Sequence, residues 1–387
     1  MSFSFKSNHL ASSISVMTLA VSLSIGQTST QKSLAQAALT QINGAGADVP
    51  NALYTGTGGW FATYGAPSPA VNANVQLNYA SVGSGKGVTA FLTQTPPSGT
   101  PTVSRPISFG STTAPLTSSQ LKVTGSPNSG PPIQVPTVAA AIALPYNPSG
   151  LNVPPGGLKL SRATYSAIFN GEITNWNDSR ITADNGRQVS TGLPIKVVVR
   201  SDTSGATLIF TSHLKTVSPN WSRGSGTTIN WPSTFLKVSG GSGIVNTVTA
   251  NRGAIGYADN PALSGTPLKA AVLQNKSGRY VAPTSAATSA ALSGLSDTDP
   301  DPKIITINVP ADPSASAAYP VVGLSYLLFY DIYQSAAVAN GIKGFIPWAF
   351  STAGDNIARN KGYAPLPEAL QTTVNNLVQS YVDTTAN

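Results

Sequence analysis

The segment 200–207, Arg-Ser-Asp-Thr-Ser-Gly-Ala-Thr, carries the residues best suited to chemistry in this chain, and that chemistry is anion binding. Arg200 presents a planar fork of N–H donors that matches a tetrahedral oxyanion. Asp202 stands close enough to hold the guanidinium in place, while Ser204 and Thr207 add hydroxyl donors. The segment contains no group that would transform a bound ion, so it indicates binding without catalysis.

A strand, a polar turn and a helix are expected to position this segment. The β-branched run 195–199 predicts a buried strand. Ala206, Phe210 and Leu214 recur at i, i+4 and i+8, which predicts one face of a helix. Because the first backbone N–H groups of a helix have no partner within it, they and the helix dipole favour an anion at the turn.

The first 37 residues are typical of a cleaved secretory signal. Lys6 and His9 give a weakly basic start, residues 14–25 form an uncharged apolar stretch, and small residues precede a cleavage point near Ala37. The apolar stretch is too short to span a bilayer. We therefore expect an exported protein, with a retained N-terminal anchor as the alternative.

The composition bounds the class of protein. Removal of residues 1–37 from the 387-residue chain leaves 350, enough for two ordinary domains. The formal charge of +8 falls to +6 because Lys6 and Lys32 leave and this segment has no Asp or Glu. No run of Lys or Arg occurs, which argues against nucleic acid and favours an anionic ligand or surface.

The scarcity of Cys and His argues against most catalytic and metal centres. The chain has no Cys, and after signal cleavage its one His is His213, expected to be a surface or packing residue. A Ser-His-Asp relay, a thiol nucleophile and a zinc site are therefore disfavoured. Asp297, Asp299 and Asp301 have the spacing of a calcium loop but lack its glycine and closing acid, which favours a solvated loop. We expect neither metal nor cofactor.

The remaining patterns predict strands alternating with helices, and hence an α/β fold. Strands are expected at 75–79, 133–144, 253–257 and 303–309, with a mainly apolar run at 319–330. Helices are expected at 51–54 with Asp48 as a cap, at 164–171, and from Pro367 to the C-terminus. Polar turns or loops are expected at 44–50, 83–87, 108–116 and 282–302.

In their order along the chain, these motifs resemble the periplasmic phosphate-binding proteins of the PstS type, the substrate-capturing subunits of phosphate ABC importers. The resemblance covers 44–50, 83–87, 109–116, 135–138, 168–178, 198–210, 224–232, 253–257 and 363–367. The opening Ile42-Asn43-Gly44 and the loop 83–87 also resemble the DING branch of the same superfamily.

The resemblance implies a two-lobed periplasmic-binding-protein fold of type II, with a hinge and a ligand cleft that closes. Lobe I would comprise 38–135 with 320–387 and lobe II 136–319, with crossing strands near 135–136 and 319–320. It further implies a periplasmic, monomeric, non-enzymatic receptor for inorganic phosphate. Its partner would be the membrane permease of an ABC importer, and it would bind no nucleic acid.

Five residues match the family's site. Arg200, Ser204 and Gly205 match phosphate contacts. Ser84 matches the donor of the Gly-rich loop, and Asp202 matches the acid that pairs with the arginine. The resemblance therefore places the ligand between the Gly-rich loop and the Arg200 segment.

Four further ligand positions depart from the family pattern. Asp48 stands where the family usually has a phosphate-binding Thr, and Val49 where a larger apolar residue is common. Thr113 stands where the family usually has an Asp, and Ala206 replaces a Thr but keeps its backbone N–H. In the family the Asp accepts a hydrogen bond from protonated phosphate and repels sulfate.

Asp48 and Thr113 together suggest an exchange, in which the acid has moved to the opposite wall of the pocket. The alternative is that Asp48 only caps a helix, in which case the ligand is another anion or is bound weakly. Other functions that remain open are a receptor for sulfate or arsenate on the same fold, a secreted phosphatase and a surface scaffold protein.

Overall fold

A computed structural model describes residues 39–67, 69–122 and 127–384. The expected signal segment 1–37 lies outside these residues. Within the described ranges, none of the helices combines the length and the apolar character that crossing a bilayer requires.

The described residues form an α/β fold of strands and helices in alternation. The strands are β1 Thr40–Gly46, β2 Val75–Ser81, β3 Phe109–Thr112, β4 Ser129–Ala143, β5 Pro145–Tyr146, β6 Lys159–Leu160, β7 Lys196–Arg200, β8 Leu236–Val238, β9 Ala254–Ile255, β10 Ala258–Asp259, β11 Lys269–Ala270, β12 Val272–Gln274, β13 Tyr280–Val281, β14 Val322–Tyr333, β15 Ala364–Pro365 and β16 Asp383–Thr384. The helices are α1 Asn51–Tyr54, α2 Trp60–Tyr64, α3 Ser84–Thr93, α4 Arg162–Asn170, α5 Ser179–Asn185, α6 Gly205–Val217, α7 Gly240–Ala250, α8 Ser285–Ala291, α9 Ala336–Ala349, α10 Thr352–Asn360 and α11 Glu368–Tyr381.

Three sheets organise these elements. The first has the order β10-β4-β14-β3-β1-β2, with β15 on β4 and β16 on β14. Its strand β1 is parallel to both β2 and β3. The second has the order β11-β5-β9-β7-β8, and its strand β7 is parallel to both β8 and β9. The third, β13-β12-β6, is small.

The longest strands, β4 and β14, pair antiparallel from Ala141 opposite Val322 to Ser129 opposite Ile332. The register shifts near the middle, where Val138 faces Ser325 but Pro136 faces Tyr326, so that Thr137 is the extra residue of a bulge; a second shift lies near the end, between Tyr330 and Ile332. The shift falls beside a proline, which has no N–H to give to a ladder. The Thr137 hydroxyl donates instead to the Ser325 carbonyl at 3.1 Å.

Helix α3 lies directly on β1 and β3. A side chain at Gly87 would come within 2.2 Å of the Gly46 Cα, so two bare glycines allow the helix backbone to touch the strand. Phe91, further along α3, is fully buried and stacks on Tyr330 of β14 with ring centroids 4.3 Å apart. These contacts fix the position of the N-terminus of α3 at Ser84.

Several sequence predictions are confirmed. The strand at 195–199 is β7, the expected helix after it is α6, and Ala206, Phe210 and Leu214 are all buried. The expected helix at 164–171 is α4, which ends at Gly171 in the left-handed conformation. The C-terminal helix is α11, preceded by Pro367.

The expected loops at 44–50, 83–87 and 108–116 need correction. Residues 44–46 belong to β1 and 109–112 to β3, because small residues there pack in the centre of the first sheet. Residues 84–87 are the first turn of α3, since the glycines that read as a loop serve its close approach to β1.

Two predictions in the C-terminal half were wrong. Residues 303–309 form no strand and make only isolated bridges, from Ile304 to Gln134 of β4 and from Ile307 to Asp297, because the segment bonds to β4 at Gln134 alone and then pairs with its own preceding loop. The expected loop at 282–302 contains α8, whose N-cap Thr284 accepts a hydrogen bond from the Ala287 amide.

We predict that Phe91→Ala destabilises the protein by about 3–5 kcal/mol, because it removes a fully buried ring and leaves a cavity under α3. Urea unfolding of both proteins measures this. Val71→Ala is the control: Val71 is 56% exposed, and its truncation should stay within about 0.5 kcal/mol. Equal midpoints for Phe91→Ala and the wild type would contradict the packing of α3 described above.

Candidate anion-binding site

The candidate site lies where the carboxyl ends of parallel strands from two sheets face each other. Asp48 follows β1, Ser84 follows β2 and Thr113 follows β3 of the first sheet. Arg200 ends β7 of the second sheet, and α6 begins five residues later. Loops after parallel strands are the usual place of ligand sites in α/β folds.

All eight ligand residues expected from the sequence line one small cavity. They are Asp48, Val49, Ser84, Thr113, Arg200, Ser204, Gly205 and Ala206. Gly241, Tyr257, Ala258 and Asp259 complete the lining. The structure therefore brings the predicted residues together, whereas their roles toward a ligand stay predictions.

Arg200 is the central charge of the cavity. Its side chain is 3% exposed, its Nε donates to Asp202 Oδ1 at 2.7 Å, and its Nη2 donates to Asp48 Oδ2 at 2.7 Å. A second bond joins Nη2 to Asp202 Oδ2. Among the described residues Nη1 has no hydrogen-bond partner, which leaves this nitrogen for an anion.

The charges of Arg200, Asp202 and Asp48 stabilise one another. Burial alone would lower the pKa of Arg200, but the hydrogen bonds and charges of Asp202 and Asp48 outweigh burial and raise it above its ordinary value. Burial likewise opposes the charge of Asp202, and the bonds from Arg200 and from the Gly240 amide nevertheless lower its pKa. Arg200 therefore stays cationic and Asp202 anionic.

The N-terminus of α6 faces the same cavity. Ser204 is its N-cap, and the Ser204 hydroxyl accepts a hydrogen bond from the Thr207 amide at 3.4 Å. The amides of Gly205 and Ala206 are the first two of a 13-residue helix, so they have no acceptor within it. Tyr257 orders this turn, because its hydroxyl accepts from the Arg200 amide at 3.1 Å.

The opposite wall approaches α6 very closely. The Ser84 hydroxyl accepts from the Thr113 amide at 3.2 Å and lies 3.2 Å from the Thr113 hydroxyl. A Cβ at Gly205 would lie 1.5 Å from Thr113 Oγ1. Only glycine fits at this position while the two walls are in contact.

The sequence suggested that Asp48 caps α1, but in the structure it does not. The residue at that N-cap is Pro50, and no side chain bonds there. Asp48 Oδ1 accepts from the Ser81 hydroxyl at 2.7 Å, while Oδ2 accepts from Arg200 and from the Gly241 amide at 3.3 Å. The carboxylate therefore links the first sheet to the second, because it bonds to the buried Arg200 and to the start of α7 and not to α1.

Two tyrosines hold the turn that carries Asp48 and Val49. The Tyr79 hydroxyl donates to the Ala47 carbonyl, and the Tyr363 hydroxyl donates to the Val49 carbonyl, both at 2.7 Å. Val49 itself is 3% exposed. Val49 contributes a buried apolar wall to the cavity.

Sequence reasoning missed Asp259, a second carboxyl in the lining. Asp259 is 3% exposed, and burial together with the charge of Asp48 raises its pKa to about 7. A signal for it existed, since the expected strand at 253–257 ends just before it and strand ends carry sites. The α7 start was also missed, although Ser239-Gly240-Gly241 after β8 repeats the pattern of strand, small-residue turn and helix.

His213, expected at the surface or in packing, is a packing residue. Its Nε2 lies 2.7 Å from the Tyr165 hydroxyl and its Nδ1 lies 2.6 Å from the Ala311 carbonyl. Complete burial lowers its pKa to about 4, so it is neutral. It does not line the anion cavity.

Within the described ranges, no three His, Cys, Asp or Glu side chains converge as a metal site would require. The Oδ1 atoms of Asp297, Asp299 and Asp301 each accept a backbone N–H two residues further along the chain, at 2.9–3.1 Å. These carboxylates therefore shape their own loop.

Comparison with known proteins supplies a family context. A family model described as a PBP superfamily domain matches residues 18–353. The Phosphate-binding protein PstS of Methanocaldococcus jannaschii is 31% identical over 80% of this chain and 79% of its own. That of Xylella fastidiosa is 29% identical over 89% and 86%. A Pseudomonas aeruginosa relative named Alkaline phosphatase L is 28% identical over 92% and 91%.

Solved structures agree with this context. The crystal structure of a phosphate-binding protein from Stenotrophomonas maltophilia has a TM-score of 0.67 and 25% identity, and the match covers 87% of this chain and 93% of that one. The phosphate-bound structure of the high-affinity periplasmic protein PfluDING has a TM-score of 0.68 with the same coverage, at 24% identity. The latter supports the fold alone.

We predict that Gly205→Ala weakens binding of inorganic phosphate, used as a probe oxyanion, by about 1–3 kcal/mol, since the added methyl overpacks the contact with Thr113. Calorimetric titration measures the change. Gly243→Ala is the control, because a Cβ there would meet its nearest neighbour at an ordinary 3.4 Å. Identical dissociation constants for Gly205→Ala and the wild type would show that the two walls do not meet around the anion.

Proposed function

This chain belongs to the PstS-type phosphate-binding proteins of the PBP superfamily, and we propose that it binds inorganic phosphate outside the cytoplasm and delivers it to an ABC importer. The observation that carries the proposal is the cavity itself. There the amides of Gly205 and Ala206, the hydroxyl of Ser84 and Nη1 of Arg200 line one cavity, and Nη1 has no hydrogen-bond partner among the described residues. Such a set of donors matches a tetrahedral oxyanion.

We further propose that the two lobes are 38–135 with 320–387 and 136–319, and that the chain crosses between them within β4 and again just before β14. Every strand of the second and third sheets lies within 136–319, while β1, β2 and β3 lie within 38–135. The bulge at Thr137 lies two residues from the expected crossing point at 135–136. A long strand pair with an interrupted ladder is a suitable hinge.

We propose that the protein is a receptor and not an enzyme, although one relative is named a phosphatase. Phosphoryl transfer through a hydroxyl nucleophile needs an adjacent base. Within the described residues the Ser84 hydroxyl bonds to Thr113, and His213 bonds to Tyr165 outside the cavity. Assay with p-nitrophenyl phosphate tests this, and turnover that the Arg200→Ala variant abolishes would overturn the receptor proposal.

The signal features at 1–37 support export, and the relationship to PstS supports a periplasmic location and an ABC permease as partner. The ligand alternatives are sulfate and arsenate, which share the tetrahedral shape of phosphate. Titration of the mature protein with all three anions tests the ligand. Absence of phosphate binding at millimolar concentration would overturn the proposal.

We predict that Arg200→Ala costs at least about 2 kcal/mol of phosphate affinity, as expected for a buried charge-assisted contact. The variant also leaves Asp48 and Asp202 without their shared cation. Arg180→Ala is a matched control, since Arg180 and Asp178 form a similarly spaced but exposed pair. An unchanged dissociation constant for Arg200→Ala would remove Arg200 from the site.

We predict that phosphate shifts the protein toward a closed form, because contacts from both proposed lobes meet in the cavity and the ligand binds best when they are simultaneous. In the closed arrangement Asp48 bonds to both Arg200 and the Gly241 amide. Small-angle scattering should give a smaller radius of gyration with phosphate than without it. Equal radii for the two samples would count against closure.

A further inference from the structure

Asp259 occupies a distinct place in the cavity. It ends the short strand β10, which pairs with Ile142 of β4, and its Oδ1 lies 3.8 Å from the position of a Cβ at Gly241. The Asp48 carboxyl borders the same bare glycine, with its Cγ at 3.9 Å from that position. Two carboxyls therefore face the cavity from the α7 side, opposite the N-terminus of α6.

The two carboxyls differ in their partners. Asp48 bonds to Arg200, to Ser81 and to the Gly241 amide, so its charge is compensated. Asp259 takes part in no ion pair within the described part of the chain.

The surroundings of Asp259 offer little compensation for a charge. Helix α7, which packs against β10, has no titratable side chain, and neither do residues 129–143 of β4. The titratable groups that act on Asp259, or on which it acts, are Asp48, Arg200 and Tyr363. The amides of Asp259 and Ala262 favour its ionised form, whereas burial and Asp48 oppose it.

An uncompensated carboxylate beside a bound oxyanion is costly in a dry cavity. The cost disappears when a proton lies between the two oxygens, because the contact is then a hydrogen bond. This proton can come from either side. Either the anion brings a hydroxyl that donates to the carboxylate, or the carboxyl is protonated and donates to the anion.

We propose that Asp259 is the residue that selects a protonated oxyanion, by accepting a hydrogen bond from the hydroxyl of bound phosphate. This inference rests on the proposed function and adds its specificity determinant. It differs from the exchange hypothesis, in which Asp48 has this role. Binding changes no covalent bond of the protein, and the complex holds one proton between Asp259 and the anion.

The consequence is a selectivity that depends on pH. In neutral and mildly alkaline solution phosphate carries a proton and sulfate carries none, so sulfate binds only when Asp259 itself is protonated. Since the pKa of Asp259 is raised to about 7, sulfate affinity is highest below that pH and falls as pH rises through it. Phosphate supplies its own proton and keeps its affinity.

The first test uses the unaltered protein. Sulfate affinity should weaken about tenfold per pH unit above pH 7, as one-proton linkage requires, while phosphate affinity shows no such slope up to pH 9. Calorimetry at pH 8 in two buffers of different ionisation enthalpy should show uptake of about one proton per sulfate. Absence of sulfate binding at pH 5.5, or sulfate affinity independent of pH, would overturn the proposal.

The second test compares two matched variants. Asp259→Asn should bind sulfate without the pH slope, because an amide donates to a bare oxygen, and its phosphate preference at pH 8.5 should fall by at least about tenfold. Asp48→Asn should weaken both anions but keep the slope. Its midpoint should move to lower pH, because the charge of Asp48 raises the pKa of Asp259.

The outcomes separate the possibilities. A slope lost in Asp48→Asn and kept in Asp259→Asn would assign the role to Asp48 and overturn our proposal. If the wild type binds phosphate and the pH slope of sulfate affinity is unchanged in both Asp48→Asn and Asp259→Asn, this inference is overturned and the proposed function stays intact. A wild type that binds no phosphate would overturn the proposed function itself. If Asp259→Asn does not fold, Asp48→Asn still decides, because loss of the sulfate slope in that variant would overturn the assignment to Asp259.

Discussion

The sharing of one buried guanidinium between two carboxylates is the interaction on which this site depends. Arg200 comes from the second sheet together with Asp202, whereas Asp48 comes from the first. Two negative charges on one cation would leave the cavity unfavourable to an anion if nothing else compensated them. The compensation comes from helix N-termini, whose partial positive charge requires no side chain.

The N-termini of three helices supply this compensating positive charge, each in a different way. The start of α6 points its first amides at the cavity, and α3 begins there with Ser84. The start of α7 serves the carboxylates, because the Gly240 amide donates to Asp202 and the Gly241 amide to Asp48. The start of α7 therefore stabilises Asp48 and Asp202, whereas Asp259 forms no ion pair among the described residues.

The sequence predicted the parts of the site that lie within one local segment. The run from β7 through Arg200 to α6 could be recognised because period and turn chemistry are local properties. The contact of Gly205 with Thr113 and the bond of Asp48 to Arg200 join residues 92 and 152 positions apart, and no pattern of period or spacing reports such pairs. The eight expected residues lie together because the resemblance to a family supplied the long-range information.

The errors at 44–50 and 83–87 have a common physical origin. Glycine was read as a sign of a loop at 44–50 and 83–87, but Gly46 and Gly87 serve a strand and a helix that touch backbone to backbone. Lack of a side chain permits a turn and permits close packing, and sequence alone does not distinguish the two. The segment 303–309 failed for another reason: it bonds to the edge of β4 only at Gln134, so its strand-forming residues do not continue into a ladder.

The bulge at Thr137 has a mechanical consequence. A pair of strands joined by a continuous hydrogen-bond ladder is stiff. It bends most easily where ladder hydrogen bonds are missing. If the proposed lobes move by bending at this interruption, the Thr137–Ser325 bond lies close to the bending axis and changes little in length. Residues far from that axis would move most. The two proposed lobes would therefore separate at the rim of the cleft well before the strand pair itself is strained.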